Sequence, residues 1–115
     1  MRTPDILYQG QPSTTITDLF TVTTGTATIT AIHAANASSD TGWFSVYAVQ
    51  SGSTYADSNV LAKMQKLVGT DNSLGGGYWS MEFPIPLNST SDKLQGIQQT
   101  AAAVTLTVVG WRVTT

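Results

Sequence analysis

The 115-residue sequence contains no cysteine, which removes disulfides, thiolate metal sites and cysteine nucleophiles from consideration. Histidine occurs once, as His33. A Ser-His-Asp centre needs a histidine with an orienting carboxylate, and a structural zinc site needs about four nitrogen or sulfur ligands. Flanked by Ala34 and Ala35, His33 therefore reads as a half-buried strand side chain. Charge is also scarce. Asp, Glu, Lys and Arg make up 10% of the chain, against roughly 25% in ordinary soluble domains. The basic residues Arg2, Lys63, Lys66, Lys93 and Arg112 form no run, so the electrostatic footprint of a nucleic-acid partner is missing. Long hydrophobic runs are missing too: no stretch approaches the ~18 apolar residues of a membrane span. The opening Met1-Arg2-Thr3-Pro4-Asp5 lacks the apolar segment of a signal peptide. The expectation is a chain made and used in soluble form, with neither membrane nor nucleic acid as partner.

Thr, Ser, Gly, Gln and Asn take the place of the missing charge, while 41% of residues are hydrophobic and mean hydropathy is +0.02. A neutral hydroxyl surface is cheaper to desolvate than a charged one and so favours contact with other protein. At this length there is room for a single core.

From Thr14 onward, β-branched and aromatic residues run in short stretches broken by Gly, Asn, Asp and Ser clusters, the pattern of a β-sandwich or barrel. The clearest predicted strands are Asp18 to Thr23, Thr26 to Asn36, Trp43 to Gln50, Tyr78 to Phe83 and Ala103 to Thr114. Weaker candidates are Ile6 to Gly10 and Lys93 to Gln98. Thr24-Gly25 reads as a tight hairpin turn and Ser51-Gly52-Ser53 ends the third run, so consecutive strands are expected to pair antiparallel. In the last strand Val104, Leu106 and Val108 share one face, and Thr105, Thr107, Val109, Trp111 and Val113 the other. In the third, Phe44, Val46 and Ala48 oppose Trp43, Ser45, Tyr47 and Val49. Both strands thus place apolar groups on the face opposite the core. The row Val60 to Val68 fits a helical stripe through Leu61, Met64 and Leu67 or Val68, and an alternation through Val60, Ala62, Met64, Lys66 and Val68. Its short length and its place among strands favour the strand. The fold class is all-β: an antiparallel sandwich over residues 13–115, preceded by an extended N-terminal arm over residues 1–12.

No catalytic, cofactor or metal site is expected. The carboxylates Asp5, Asp18, Asp40, Asp57, Asp71, Glu82 and Asp92 fall mainly in or beside turns, where Asp accepts hydrogen bonds from nearby amides. Nothing organises two of them into the glycosidase spacing of about 5–10 Å. Asp40 and Asp71-Asn72 lack calcium-loop spacing. Gly75-Gly76-Gly77 is followed by no Lys-Ser/Thr, so it reads as a hinge and not as a phosphate loop. Asn36-Ala37-Ser38 and Asn88-Ser89-Thr90 are formal glycosylation sequons that, without a secretion signal, read as turns.

The residues singled out for interaction are Trp43, Tyr47, Trp79 and Trp111, because aromatics give large contact area at low entropic cost; core packing is the competing use. Ile6, Leu7 and Tyr8 are apolar anchors in the arm, which is suited to adding a strand to a neighbour's sheet edge.

The stretch Leu19-Phe20-Thr21-Val22, then Thr24-Gly25-Thr26, the Ile29 to Asn36 strand and Trp43-Phe44-Ser45-Val46-Tyr47 resembles a family of short tailed-bacteriophage virion proteins. Phe83-Pro84-Ile85-Pro86-Leu87-Asn88 is similar to that family's Pro-rich corner, and the closing Val104 to Thr115 strand with Gly110 to its last strand. Ser53 to Gly77 is longer than the family pattern. The resemblance implies a jelly-roll-like β-sandwich on the virion surface that decorates the capsid. Its partners would be the major capsid protein and copies of itself, a trimer by analogy with capsid three-fold positions, and it would be made in the host cytoplasm. The alternative is a small tail fibre or carbohydrate-binding module stacking Trp43, Trp79 or Trp111 on host glycans.

Overall fold

The computed structural model describes residues 5–69, 77–82, 84–100 and 103–113. Its strands are β1 (Asp5–Gly10), β2 (Thr17–Thr21), β3 (Thr26–Asn36), β4 (Gly42–Val49), β5 (Val60–Leu67), β6 (Tyr78–Met81), β7 (Ile85–Leu87), β8 (Lys93–Gln98) and β9 (Val104–Val113). A short 3-10 turn, Asp57–Asn59, precedes β5. The strands form two antiparallel sheets. The first has the order β1-β9-β3-β6, with β7 also paired to β3, and the second the order β2-β8-β4-β5. From β1 to β9 the chain crosses between sheets at every connection except β4 to β5 and β6 to β7. This interleaving is the jelly roll, two Greek keys wound into a sandwich.

Inner faces follow from alternation. β9 buries Val104, Leu106 and Val108, β3 buries Ala27, Ile29, Ile32 and Ala34, and Phe44, Val46 and Leu94 come from the second sheet to meet them. Each large aliphatic or aromatic side chain among them contributes roughly 1.5–3 kcal/mol by leaving water. β3 and β9 form the longest pairing, from Thr26↔Val113 to Asn36↔Val104, with an irregularity between Ile29 and Ala31. Gly110 is required there: a Cβ on it would lie 2.1 Å from the Thr28 carbonyl oxygen.

Three buried polar residues fix the ends of the sandwich. Asn36 Nδ2 donates to the carbonyls of Asp40 and Leu67, each at 2.9 Å, while its Oδ1 accepts from Ser38 N–H at 2.9 Å. Asp92 accepts from the N–H groups of Ser51, Asn88 and Ser89 at 2.7, 3.1 and 3.1 Å. Gln98 holds Val104 and the Pro12 carbonyl. Each residue ties connections together and satisfies buried backbone groups that lie beyond the ladders.

The structure departs from or refines the sequence reading at several points. The Thr24-Gly25 turn does not close a hairpin; β2 and β3 lie in different sheets, and Gly25, at φ 69°, turns the chain across the sandwich. Among the described residues, consecutive strands pair only at β4–β5, because closing two Greek keys places most sequence neighbours in opposite layers. The segment read as an arm is extended, but β1 finds its partner in its own chain: Asp5 to Gly10 pair with Gly110 to Leu106 of β9. The row from Val60 is strand, through Leu67. β7 is missing from the predicted strands because Pro84 and Pro86 break the strand signal. It pairs with β3, and such an edge strand tolerates a residue without an N–H. His33 is exposed and not half-buried, since it sits on the outer face of β3. Residues 1–4 of the predicted arm, Asp71-Asn72, Gly75, Gly76, Phe83 and Thr114 lie outside the described residues.

Candidate functional site

Each sheet has one outer face, and the two differ in chemistry. On the second sheet, β4 directs Trp43, Ser45 and Tyr47 outward. Trp43 lies opposite Lys66, Ser45 opposite Ile97 and Tyr47 opposite Gln95. Tyr47 is only 7% exposed, because the connection between β4 and β5 returns over it and places the Tyr55 ring 5.2 Å from its own. Asn59 closes that connection: its Oδ1 accepts from Ala56 N–H at 2.9 Å and its Nδ2 donates to the Thr54 carbonyl at 3.1 Å. Further along the same face Asp18 accepts from Gln95 Nε2 at 2.7 Å and lies 3.7 Å from Lys93 Nζ. This face is therefore partly covered by the chain itself and carries charge of both signs.

The outer face of the first sheet is uncovered by any described segment. Its residues fall in rows across the strands. Gln9, Thr107, His33 and Ser80 stand side by side in one row, and Ile6, Val109 and Ala31 in the next. Trp111 stands beside Thr28, which in turn faces Pro86, and Tyr78 lies beside Ala35. Gln9 Nε2 donates to Thr107 Oγ1 at 3.2 Å, so both side chains project on this side. Ile6 is 55% and Tyr78 82% exposed. Charge is confined to the rim among the described residues: the Asp5–Arg112 ion pair at 3.8 Å at one end, and exposed Glu82 just past β6.

The predicted interaction residues are thus divided among three environments. Ile6 and Trp111 share the first sheet's outer face, and Trp43 and Tyr47 share the second's. Leu7 and Tyr8 pack against the core. Trp79 also turns inward, its ring edge-on to Phe44 of the opposite sheet with centroids 5.4 Å apart, so it serves packing. Tyr78, the most exposed large apolar residue among those described, escapes the sequence reading because a four-residue strand gives too little alternation to assign a face. Burial raises the Tyr8 hydroxyl above its ordinary pKa of 10.0.

A depression of ≈ 460 Å³ lies at one end of the sandwich, lined in part by Gln50, Ser51, Asn88 and Asp92. The Asp92 carboxylate there is already engaged by three backbone N–H groups. Among the described residues there is no group of three or more His, Cys, Asp or Glu positioned to hold a metal ion, and no helix long and apolar enough to cross a membrane.

No protein-family model and no curated protein matches the sequence. Among solved structures, the chain is similar to a chain from the structure of infectious bursal disease virus, Gx strain, with a TM-score of 0.50 and 13% identity, over 97% of this chain and 32% of that one. The chain therefore spans about a third of the length of that viral chain, and at this identity the likeness is one of fold: an all-β sandwich of two antiparallel sheets.

Proposed function

We propose that the chain is a non-enzymatic structural protein of a virion, a capsid decoration (cement) protein of a tailed bacteriophage that bridges neighbouring capsid subunits. The observation that carries this reading is the jelly roll, whose likeness to a chain from a virus structure extends over nearly the whole length. Jelly rolls serve capsids, lectins and enzymes alike. What turns this one toward assembly is its charge-poor surface, which costs little to desolvate against other protein. Binding is favoured over catalysis because three of the carboxylates are committed to the fold: Asp92 to three amides, Asp18 to Gln95 and Lys93, Asp5 to Arg112.

The mechanism is mechanical. Each copy buries neutral surface against capsid subunits and its own copies, and the added interface area resists separation of the subunits under internal pressure. The test is a reconstruction of virions made with and without the protein, together with their heat resistance. The expected result is density across subunit junctions on the shell, and heads that rupture at lower temperature when the protein is missing. Density on the tail alone, with binding to host glycans, would replace this reading with the fibre reading.

A further inference from the structure

We propose that the outer face of the first sheet is the surface through which two copies of this chain pack, sheet against sheet. This pairing rests on the assembly reading above for the claim that the chain works in contact with other protein, and it adds the face and the partner.

Charge selects the partner. Within the rows that contain Thr107, His33, Val109, Ala31 and Thr28, no Lys, Arg, Asp or Glu is paired across the strands among the described residues. An ordinary protein surface, at roughly one charged residue in four, would strand some of those charges against this face without partners, which is costly. Among the described residues, a second copy brings no Lys, Arg, Asp or Glu to the centre of the contact. The other outer face, with Asp18, Lys93 and Lys66, does not share this property.

The area is sufficient. β9 is ten residues long, and at about 3.4 Å per residue it runs ~34 Å. Four strands at a spacing of about 4.8 Å are roughly 19 Å wide. β3 runs about as far, but β1, β6 and β7 are only six, four and three residues long, so the footprint is on the order of 550 Å² per copy and ~1,100 Å² for the pair, just above the ~1,000 Å² that a specific interface clears. Sheets also pack well face to face when their side chains interdigitate, as in sandwich cores. The resulting assembly is a two-fold pair, in which the same patch serves both copies.

The experiment is sedimentation equilibrium of the full chain over a wide concentration range. The wild type is expected to show twice the chain mass. Thr107→Lys, which puts a charge in the centre of the face, is expected to give the single-chain mass with an unchanged far-ultraviolet circular dichroism spectrum. Lys66→Glu, on the other sheet, is expected to keep the doubled mass. If Thr107→Lys fails to fold, His33→Lys at an exposed position replaces it with the same expectation. A wild type that stays at single-chain mass throughout, a mass of three chains, or a face variant that stays paired overturns the proposal. Occupancy of the wild type on purified virions is measured separately, so a monomer that still binds particles defeats the pairing face and leaves the virion reading standing.

Discussion

The carboxamide of Gln98 pairs with both backbone groups of Val104: Oε1 accepts from its N–H at 2.8 Å and Nε2 donates to its carbonyl at 3.4 Å. The side chain thus stands in for a strand at the turn between β8 and β9, and the same Nε2 donates to the Pro12 carbonyl. Gln98 is 1% exposed, so water has little access to replace these bonds. Gln98→Leu, similar in volume, leaves buried backbone groups without partners at about 1–3 kcal/mol each. The expected result is a loss on the order of 3 kcal/mol, read as a lower urea midpoint at unchanged slope. A loss under ~0.5 kcal/mol would show that the staple contributes nothing of note.

Asp92 makes a second staple, between the start of β8 and the chain leaving β4. Asp92→Ala removes the acceptor for three N–H groups at once, and bonds to a charged group are worth about 1.5–3 kcal/mol each before relaxation. The melting temperature is expected to fall by roughly 10 °C or more. Asp92→Asn retains one oxygen and should fall between wild type and Asp92→Ala; calorimetry of all three orders them.

How far the sequence reaches is visible in particular residues. β3 and β8 are predicted to the residue, as Thr26–Asn36 and Lys93–Gln98, because polar connections bound both ends. The two faces of β9 are likewise legible, since a ten-residue strand repeats its period several times. Pairing is not legible. Val22 exchanges backbone hydrogen bonds with Ser91 and Asp92, about 70 residues away along the chain, and no local pattern encodes that. The burial of Tyr47 escapes for the same reason: alternation shows that it leaves the core, and only the return of Tyr55 covers it.

Met64 occupies the left-handed region at φ 47° on β5, where its N–H donates to Ser45 Oγ at 2.8 Å. A non-glycine residue there is disfavoured by roughly 1–2 kcal/mol, and its side chain is exposed, so little packing is lost with it. Met64→Gly is expected to be neutral or stabilising by up to ~1 kcal/mol. A clear destabilisation in chemical denaturation would mean that the Met64 side chain has a packing role.

Tyr8 gives a pH dependence of known sign. Burial disfavours the phenolate, so the folded chain holds this proton more tightly than the unfolded chain, whose value is 10.0. The contribution is fully present below about pH 10 and is lost as pH rises through the raised folded value. Urea titrations between about pH 9 and about pH 11.5 are expected to show stability falling more steeply in the wild type than in Tyr8→Phe. Parallel curves would contradict the assignment.

Trp79 separates packing from sugar binding. Its ring meets Phe44 edge-on across the sandwich at a centroid distance of 5.4 Å, a geometry worth about 0.5–1.5 kcal/mol beyond simple burial. Since it is half-buried, Trp79→Ala should cost about 3 kcal/mol, the low end for a large aromatic. A ring that served mainly to stack on glycans would behave in the opposite way, because its removal would relieve an exposed apolar surface and leave the melting temperature nearly unchanged. Thermal unfolding of Trp79→Ala beside Trp43→Ala makes the comparison within one protein. The expected order is a large loss for Trp79, which contacts the opposite sheet, and a small one for Trp43, which lies on an outer face.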